Sequence, residues 1–260
     1  MFAEAAAQNR AVLLPYLTAG IPDPDASVDL FAAMADAGAD GFEVGIPYAD
    51  PLMDGPVIME AGERALASGV TVDVALDVVR RVADRTGKPV LVMTYVNPVL
   101  RNGIDAFFDR VREAGAAGVI LADLPADEAE PYLAAADRTG LGMVLFAAPT
   151  TDAERLAIVG SSDAAFVYAV AEIGVTGERV EASSNVAALA TSIRATTDRP
   201  IVFGVGISTP SHAHAAATHG DGVIVGTAIV RRVMEAPDAT SAAGELSQAV
   251  AAFAEAVQRD

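Results

Sequence analysis

The sequence contains no cysteine, a single lysine and three histidines among its 260 residues. The absence of cysteine excludes disulfides and thiolate chemistry. Lys88, the one lysine, stands at the predicted start of a strand, so we expect no Schiff-base catalysis at the opposite, C-terminal end. His212, His214 and His219 share a predicted helix, but positions i and i+2 do not share a helix face. We therefore expect no metal site, with only a carboxylate-only site left open.

Long apolar runs and excess positive charge are also missing. No run of about 18 apolar residues is present, and the first ten residues lack a basic start followed by an apolar stretch. We therefore expect a cytoplasmic protein. The 35 acidic residues outnumber the 17 basic ones, which gives a formal net charge of −18. Such a charge disfavours nucleic acid and anionic membranes as partners.

A repeating unit runs along the whole chain, in which a glycine closes an amphipathic stretch and opens a short apolar run. Eight strands alternating with helices predict an α/β fold, a single (β/α)₈ TIM barrel with extra helices over residues 1–260. The alternative, an open doubly wound sheet, normally has a Gly-rich turn after its first strand, which Thr18–Pro22 does not provide. The predicted strands are 12–17, 42–45, 90–94, 118–121, 142–147, 165–169, 201–204 and 222–225, and the predicted helices are 25–37, 57–68, 72–85, 104–114, 127–139, 152–159, 183–196, 210–218 and 241–257.

One carboxylate, Glu43, stands in the middle of a predicted strand, between the apolar residues Phe42 and Val44. Side chains alternate along a strand, so Glu43 points away from its two neighbours. Burying a lone carboxylate is costly unless it has a partner or holds a proton, and burial of this kind is how a general acid/base is tuned. A second acid, Asp54, follows in a Pro/Gly-rich loop. A glutamate that only pairs with an arginine is the alternative interpretation.

The position of Glu43 on its strand favours catalysis. In these barrels the chemistry takes place at the C-terminal ends of the strands. Glu43 ends the second strand, Asp123 the fourth and Tyr168 the sixth, so we expect all three at one mouth. Apolar residues of the other strands would line the same pocket and bind a flat apolar group: Tyr16, Met93, Ile120, Ala122, Phe146 and Val205.

Three glycine clusters follow strands six, seven and eight, at 174–177, 204–208 and 226–228. Strands seven and eight with a short extra helix form the usual phosphate site of these barrels, where backbone N–H groups bind the anion. The clusters contain no lysine or arginine, so a phosphate would rest on N–H donors and the hydroxyl of Thr227. The alternative is that these glycines only make tight turns.

The residues Phe42-Glu43-Val44-Gly45-Ile46-Pro47-Tyr48-Ala49-Asp50-Pro51-Leu52-Met53-Asp54-Gly55-Pro56 closely resemble the signature of the tryptophan synthase α subunit. The similarity covers essentially the whole chain. Further matching segments are Pro15–Gly20, Met93–Pro98, Asp123–Pro125, Gly174–Gly177 and Gly226–Val230. The resemblance implies a lyase that cleaves indole-3-glycerol phosphate to indole and glyceraldehyde 3-phosphate without a metal or organic cofactor.

The resemblance also implies roles for individual residues. Glu43 would take the proton of the glycerol 3′-hydroxyl and help to protonate C3 of the indole, and Asp54 would bind the indole N–H. Tyr168 would support the site, and Thr176 would close the loop after strand six onto Asp54. The phosphate would be held by Gly177, Gly206, Gly226 and Thr227.

Members of this family work with a pyridoxal-phosphate β subunit in an αββα assembly, and Pro51, Asn97, Pro98 and Asp123 match positions facing that partner. The chain departs from the family at Ala49 and Ala171, where serine is usual, and Glu172 adds a negative charge near the expected phosphate loop. These departures leave two alternatives open. One is a stand-alone lyase of a secondary pathway, and the other is a non-catalytic phosphate-binding regulator of a β-type partner.

Overall fold

Eight parallel strands close into one barrel in chain order, each hydrogen-bonded to the next and the eighth to the first. The computed structural model describes residues 1–170 and 179–259. The strands, all buried over nearly their full length, are β1 (Val12–Thr18), β2 (Phe42–Gly45), β3 (Val90–Thr94), β4 (Gly118–Leu121), β5 (Gly142–Ala147), β6 (Phe166–Ala169), β7 (Ile201–Phe203) and β8 (Gly222–Val225).

Helices cover the outside of the barrel between successive strands. Several begin at side-chain caps that the sequence supplies, such as Asp23 accepting from the N–H groups of Asp25 and Ala26. In the described part of the chain they are α1 (Phe2–Ala7), α2 (Pro24–Asp36), α3 (Pro56–Ala67), α4 (Val72–Thr86), α5 (Val96–Asn102), α6 (Ile104–Glu113), α7 (Glu130–Thr139), α8 (Ala153–Ser161), α9 (Arg179–Arg194), α10 (Pro210–Ala217), α11 (Thr227–Glu235) and α12 (Ala239–Ala256), with one 3₁₀ turn at Ala126–Glu128.

The pairing register decides which side chains share the interior. Tyr16 of β1 is opposite Glu43 of β2, and Phe146 of β5 is opposite Tyr168 of β6. Because alternate residues of a strand point to the same side, these four side chains face inward near the C-terminal end of the barrel. The register therefore brings Glu43 into a ring of aromatic and aliphatic neighbours.

The N-terminal end of the barrel is closed by α1. Ala5 of this helix is buried, and the ring of Phe2 packs edge-on against Phe166 at the start of β6, with 5.9 Å between ring centroids. The last residues of the chain reach the same end, where Arg10 and Gln258 form an isolated antiparallel bridge. This closure leaves the C-terminal mouth as the accessible end of the barrel.

The barrel predicted from the sequence is confirmed, and the doubly wound alternative is wrong because β1 pairs with β8. Each predicted strand agrees with the structure within one residue at either end. The predicted helix list omitted α1, α5 and α11, which are only six, seven and nine residues long. Over residues 1–170 and 179–259, no helix is both long and apolar enough to cross a bilayer.

Candidate active site

A cavity of about 430 Å³ opens at the C-terminal ends of the strands. It brings together twelve of the residues that the sequence places at the mouth, namely Tyr16, Glu43, Asp54, Met93, Ile120, Ala122, Phe146, Tyr168, Val205, Gly206, Gly226 and Thr227. The predicted site residues Thr176 and Gly177, and the departures Ala171 and Glu172, lie outside the described residues. The lining is completed by Gly204, which the sequence analysis named only as part of a glycine cluster, and by residues that it did not assign to the site: Met53, Gly55, Ile58, Leu124, Ala148, Val170 and Ile224.

Glu43 is the carboxyl at the bottom of this cavity. It is 4% exposed, and its Oε2 atom has no hydrogen-bond partner in the described part of the protein. Burial, followed by the negative charge of Asp54, raises the pKa of Glu43 to about 8. Glu43 therefore holds a proton at neutral pH, and no arginine of the described part of the chain pairs with it.

Asp54 is the second carboxyl of the cavity, carried by the loop between β2 and α3. The loop is folded on itself by hydrogen bonds from the Leu52 N–H to the Asp50 carbonyl and from the Asp54 N–H to the Pro51 carbonyl, both 3.0 Å. Burial raises the pKa of Asp54 to about 6, and a hydrogen bond from Tyr95 opposes this rise. The two carboxyls thus differ in their environments, and Glu43 keeps its proton to higher pH.

Two tyrosines enclose the carboxyl pair, and glycines make room for both. A Cβ atom at Gly204 would overlap the hydroxyl of Tyr168, and one at Gly45 would overlap the hydroxyl of Tyr16. Tyr168 also packs against Phe146, with 4.9 Å between ring centroids, and Tyr16 is hydrogen-bonded to Thr18 at 3.2 Å. Burial raises the pKa of both phenols, so each stays protonated. Gly204 is therefore needed for packing, a role that the glycine pattern alone did not show.

The other end of the cavity is formed by backbone. Helix α11 begins at Thr227, directly after β8, and no side chain caps its first N–H groups. Gly206, with φ of +81°, turns the chain after β7 on the same side. Among the described residues that line the cavity there is no lysine or arginine. An anion here would rest on N–H donors and on the helix dipole, as in other sites at helix N-termini.

Asp123 lies after β4, at the end of the barrel where the sequence analysis expects it, but its carboxyl group is separate from the carboxyl pair. Its Oδ1 accepts a hydrogen bond of 2.7 Å from the N–H of Val96, at the start of α5, and the residue does not line the cavity. Strand position alone predicted the correct end of the barrel. The direction of the side chain depends on α5, a helix that the sequence analysis missed.

A larger groove of about 820 Å³ runs between α7 and α8, away from the mouth. Its walls are largely small and aliphatic residues, and two of its acids, Asp127 and Asp163, form ion pairs with Arg155 and Arg199. The groove has neither the buried carboxyls nor the helix N-terminus of the smaller cavity. No group of three or more candidate metal ligands is present in residues 1–170 and 179–259.

Comparisons of the sequence and the structure with known proteins find members of one protein family. The family model described as tryptophan synthase alpha chain matches residues 2–258. Tryptophan synthase alpha chains of Solibacter usitatus and Thermobifida fusca are 44% and 43% identical, over 92% and 98% of this chain and 89% and 96% of the relatives. A Mycobacterium tuberculosis tryptophan synthase structure has a TM-score of 0.89 at 39% identity, covering 100% of this chain and 97% of that chain. Tryptophan synthase subunit alpha of Legionella pneumophila has a TM-score of 0.90 at 34% identity, covering 98% and 96%.

Proposed function

This chain belongs to the tryptophan synthase alpha chain family, and we propose that Glu43 and Asp54 are the carboxyl pair with which it performs the family's reaction. The protein is a carbon–carbon lyase of tryptophan biosynthesis that cleaves indole-3-glycerol phosphate to indole and glyceraldehyde 3-phosphate. The observation that supports the proposal is the cavity itself. One buried, proton-holding carboxyl and one lower-pKa carboxyl share an apolar chamber with a helix N-terminus at its far side.

The cavity offers a place for each part of the substrate. Met93, Ile120 and Phe146, with Tyr16 and Val205, provide an apolar surface for the indole ring. The phosphate would bind at the backbone N–H groups near Gly206, Gly226 and Thr227, with Gly177 and Thr176 as further proposed contacts on the loop after β6. A substrate held at both ends places its scissile bond beside Glu43, which is the positioning that a retro-aldol cleavage needs.

We assign Glu43 the proton transfers. With a pKa of about 8 it carries a proton at neutral pH and can donate it to C3 of the indole. The resulting carboxylate takes the proton of the glycerol 3′-hydroxyl, whose oxygen forms the aldehyde carbonyl. The bond between the indole C3 and the glycerol C3′ breaks, and its electron pair restores the aromatic indole. Glu43 ends the cycle protonated, so no proton is gained or lost.

We assign Asp54 the role of stabilising the positive charge that protonation of C3 creates on the indole. That charge is centred on the indole nitrogen, and a carboxylate accepting its N–H stabilises it in the low-dielectric cavity. Tyr168, packed over Gly204, is assigned a supporting role as one wall of the chamber. Because protonated C3 makes indole a leaving group, the reaction as proposed requires no Schiff base.

The protein acts as the α subunit beside a tryptophan synthase β subunit, which carries pyridoxal phosphate, and we expect an αββα assembly. A patch of exposed apolar side chains supports a protein partner near the mouth: Leu52 is 81% exposed, Met53 65% and Leu100 55%. Pro51, Asn97, Pro98 and Asp123 are the proposed contacts. Two statements stay predictions, namely that residues 1–260 form one domain and that the protein is cytoplasmic.

The test is indole release from indole-3-glycerol phosphate by the purified protein, with and without β subunit. We expect Glu43→Gln and Asp54→Asn each to lower kcat/KM by about 10²- to 10⁴-fold with the fold intact, because each removes a group that acts only during the reaction. Glu63→Gln, an exposed glutamate of α3, is the matched control and should retain full activity. Retained cleavage in Glu43→Gln contradicts its role, and fast cleavage without the β subunit favours a stand-alone lyase.

A further inference from the structure

Tyr95 connects two segments of the mouth. It lies between β3 and α5, it is 2% exposed, and its ring packs against Tyr48 with 5.2 Å between centroids. Its hydroxyl oxygen accepts a hydrogen bond of 3.2 Å from the Met53 N–H. The same hydroxyl is close enough to the carboxyl group of the next residue, Asp54, to lower the pKa of that carboxyl. One phenol therefore binds the backbone of the loop that carries the second carboxyl and lies beside the carboxyl itself.

We propose that Tyr95 is a positioning residue for the cleavage, whose hydroxyl holds Asp54 in the cavity as an ionised hydrogen-bond acceptor. This inference rests on the proposed function, because it concerns the state in which Asp54 meets the indole N–H. Tyr95 does not line the cavity, so it acts through Asp54 and does not touch the substrate.

The surroundings of Asp54 explain why this one donor matters. Among the described residues, the ionisable groups that face the carboxyl are Glu43 of β2, Tyr16 of β1, Tyr168 of β6 and Tyr95 after β3, and none of these is a cation. Asp123, after β4, adds a further negative charge near Tyr95. Burial opposes ionisation of Asp54. Donation from Tyr95 is the contact that favours the carboxylate, as hydrogen bonding to a charged form does generally.

The direction of the hydrogen bond follows from the same charges. Burial and the carboxylates of Asp54 and Asp123 raise the pKa of Tyr95 well above that of an ordinary phenol. Tyr95 therefore keeps its proton throughout the working pH range. Because its oxygen already accepts from the Met53 N–H, its own proton is free to be donated to Asp54.

The deciding variant is Tyr95→Phe, which removes the hydroxyl and retains the ring. The matched control is Tyr48→Phe, because Tyr48 is the packing partner of Tyr95 and its hydroxyl accepts from Asn97 Nδ2, at 2.9 Å, instead of binding Asp54. In the complex with β subunit, we expect Tyr95→Phe to move the acidic limb of the kcat/KM profile upward by about one pH unit. That shift lowers kcat/KM about tenfold below pH 6 and changes it little near pH 8. The Tyr48→Phe variant should have the same pH profile as the wild type.

A second measurement does not depend on catalysis. Titration of the ¹³C-labelled Asp54 carboxyl by NMR, assigned with Asp54→Asn, should give a higher pKa in Tyr95→Phe and an unchanged one in Tyr48→Phe. An unchanged Asp54 titration in Tyr95→Phe, or an equal shift in both variants, overturns the inference. If the wild-type protein releases no indole while the NMR shift is observed, the proposed function fails and the link between Tyr95 and Asp54 stands.

Discussion

The carboxylates at the two ends of the barrel differ in whether they have hydrogen-bond and ion-pair partners. At the N-terminal end, Asp40 accepts two hydrogen bonds from Arg10, of 2.7 and 2.8 Å, and a third of 2.9 Å from the Leu13 N–H. Asp221 at the same end pairs with Arg194 and accepts from the Ile201 N–H. At the C-terminal mouth, Glu43 is buried with one oxygen atom unpartnered among the described residues, and no lysine or arginine of those residues lines its cavity.

The difference shows what partners do for a carboxylate near a strand end. A carboxylate that pairs with an arginine and also accepts from a strand's N–H ties separate parts of the barrel together. A buried carboxyl without a partner is destabilised in its charged form by the loss of hydration, so it binds a proton and becomes neutral. The raised pKa of Glu43 indicates this. The first arrangement contributes stability, and the second lowers stability while providing an acid that donates a proton near neutral pH.

The largest expected effect comes from Glu43→Gln at the mouth. The unfolded chain releases the Glu43 proton near pH 4.5 and the folded protein near pH 8, so between these values the folded state binds more protons. Stability therefore falls as the pH rises through this window. Glutamine has no charge to bury, and we expect the variant to be more stable than wild type by about 4 kcal/mol near pH 8, with little difference near pH 4.5.

Urea unfolding of the isolated chain at several pH values measures this gain. The control is Glu63→Gln, which removes an exposed charge on α3 and should follow the wild-type stability curve at every pH. Parallel curves for Glu43→Gln and wild type between pH 5 and 8 would show that Glu43 ionises freely in the folded protein, and the contrast between the two ends would then disappear.

At the N-terminal end we expect the loss of a carboxylate to lower the stability of the protein instead of raising it. Asp40→Ala leaves Arg10, whose side chain is 17% exposed, without its partner and removes the acceptor of the Leu13 N–H. We expect a loss of about 2 kcal/mol in the free energy of unfolding, because a partly buried charge and a backbone donor both lose their contacts. Thermal unfolding measures the loss, and kcat/KM of the folded protein should stay unchanged. A fall in kcat/KM at full folding would mean that this end also serves the site.

The smallest effect is expected on the outside of α4, where Arg80 pairs with Asp77 at 2.6 Å and Asp84 at 3.3 Å. These side chains are about half exposed or more, and screened surface pairs contribute little. Arg80→Gln should leave the urea midpoint unchanged within error at physiological salt. A clear shift of the midpoint would show that pairing itself stabilises this protein, independently of the burial that distinguishes Asp40.

Much of the fold could be predicted because its signals are local. Each strand is a short apolar run bounded by glycine or by a loop, so all eight were located within one residue. The missed helices are short. The seven residues of α5 include Pro98 in the first turn, where proline is tolerated, and the sequence there resembles a loop. Helix α1 has one buried residue, Ala5, which is too little for an amphipathic pattern.

Some residues of the candidate site could likewise be predicted from local sequence, and others could not. Glu43, Asp54 and the glycines could be chosen because their types and strand positions already indicate the chemistry. Tyr95 could not, since a tyrosine after a strand is unremarkable until its hydroxyl is seen against Met53 and Asp54. Gly204 was predicted as the end of a strand and the start of a glycine cluster. Its role in making space for Tyr168 could not be predicted, because a contact between β6 and the end of β7 depends on their register.

The sequence by itself determined the strand order, the barrel class and the carboxyl carried by β2, since each follows from periodicity and residue type over a few neighbouring positions. Only the tertiary structure decided that Glu43 is left without a cation while Asp40 has one, and that Asp54 receives a donor from Tyr95. The physical reason is that a carboxyl's pKa depends on burial and on charges and donors within a few ångströms. In a barrel those neighbours come from other strands, so their identity is fixed only when β1 to β8 close.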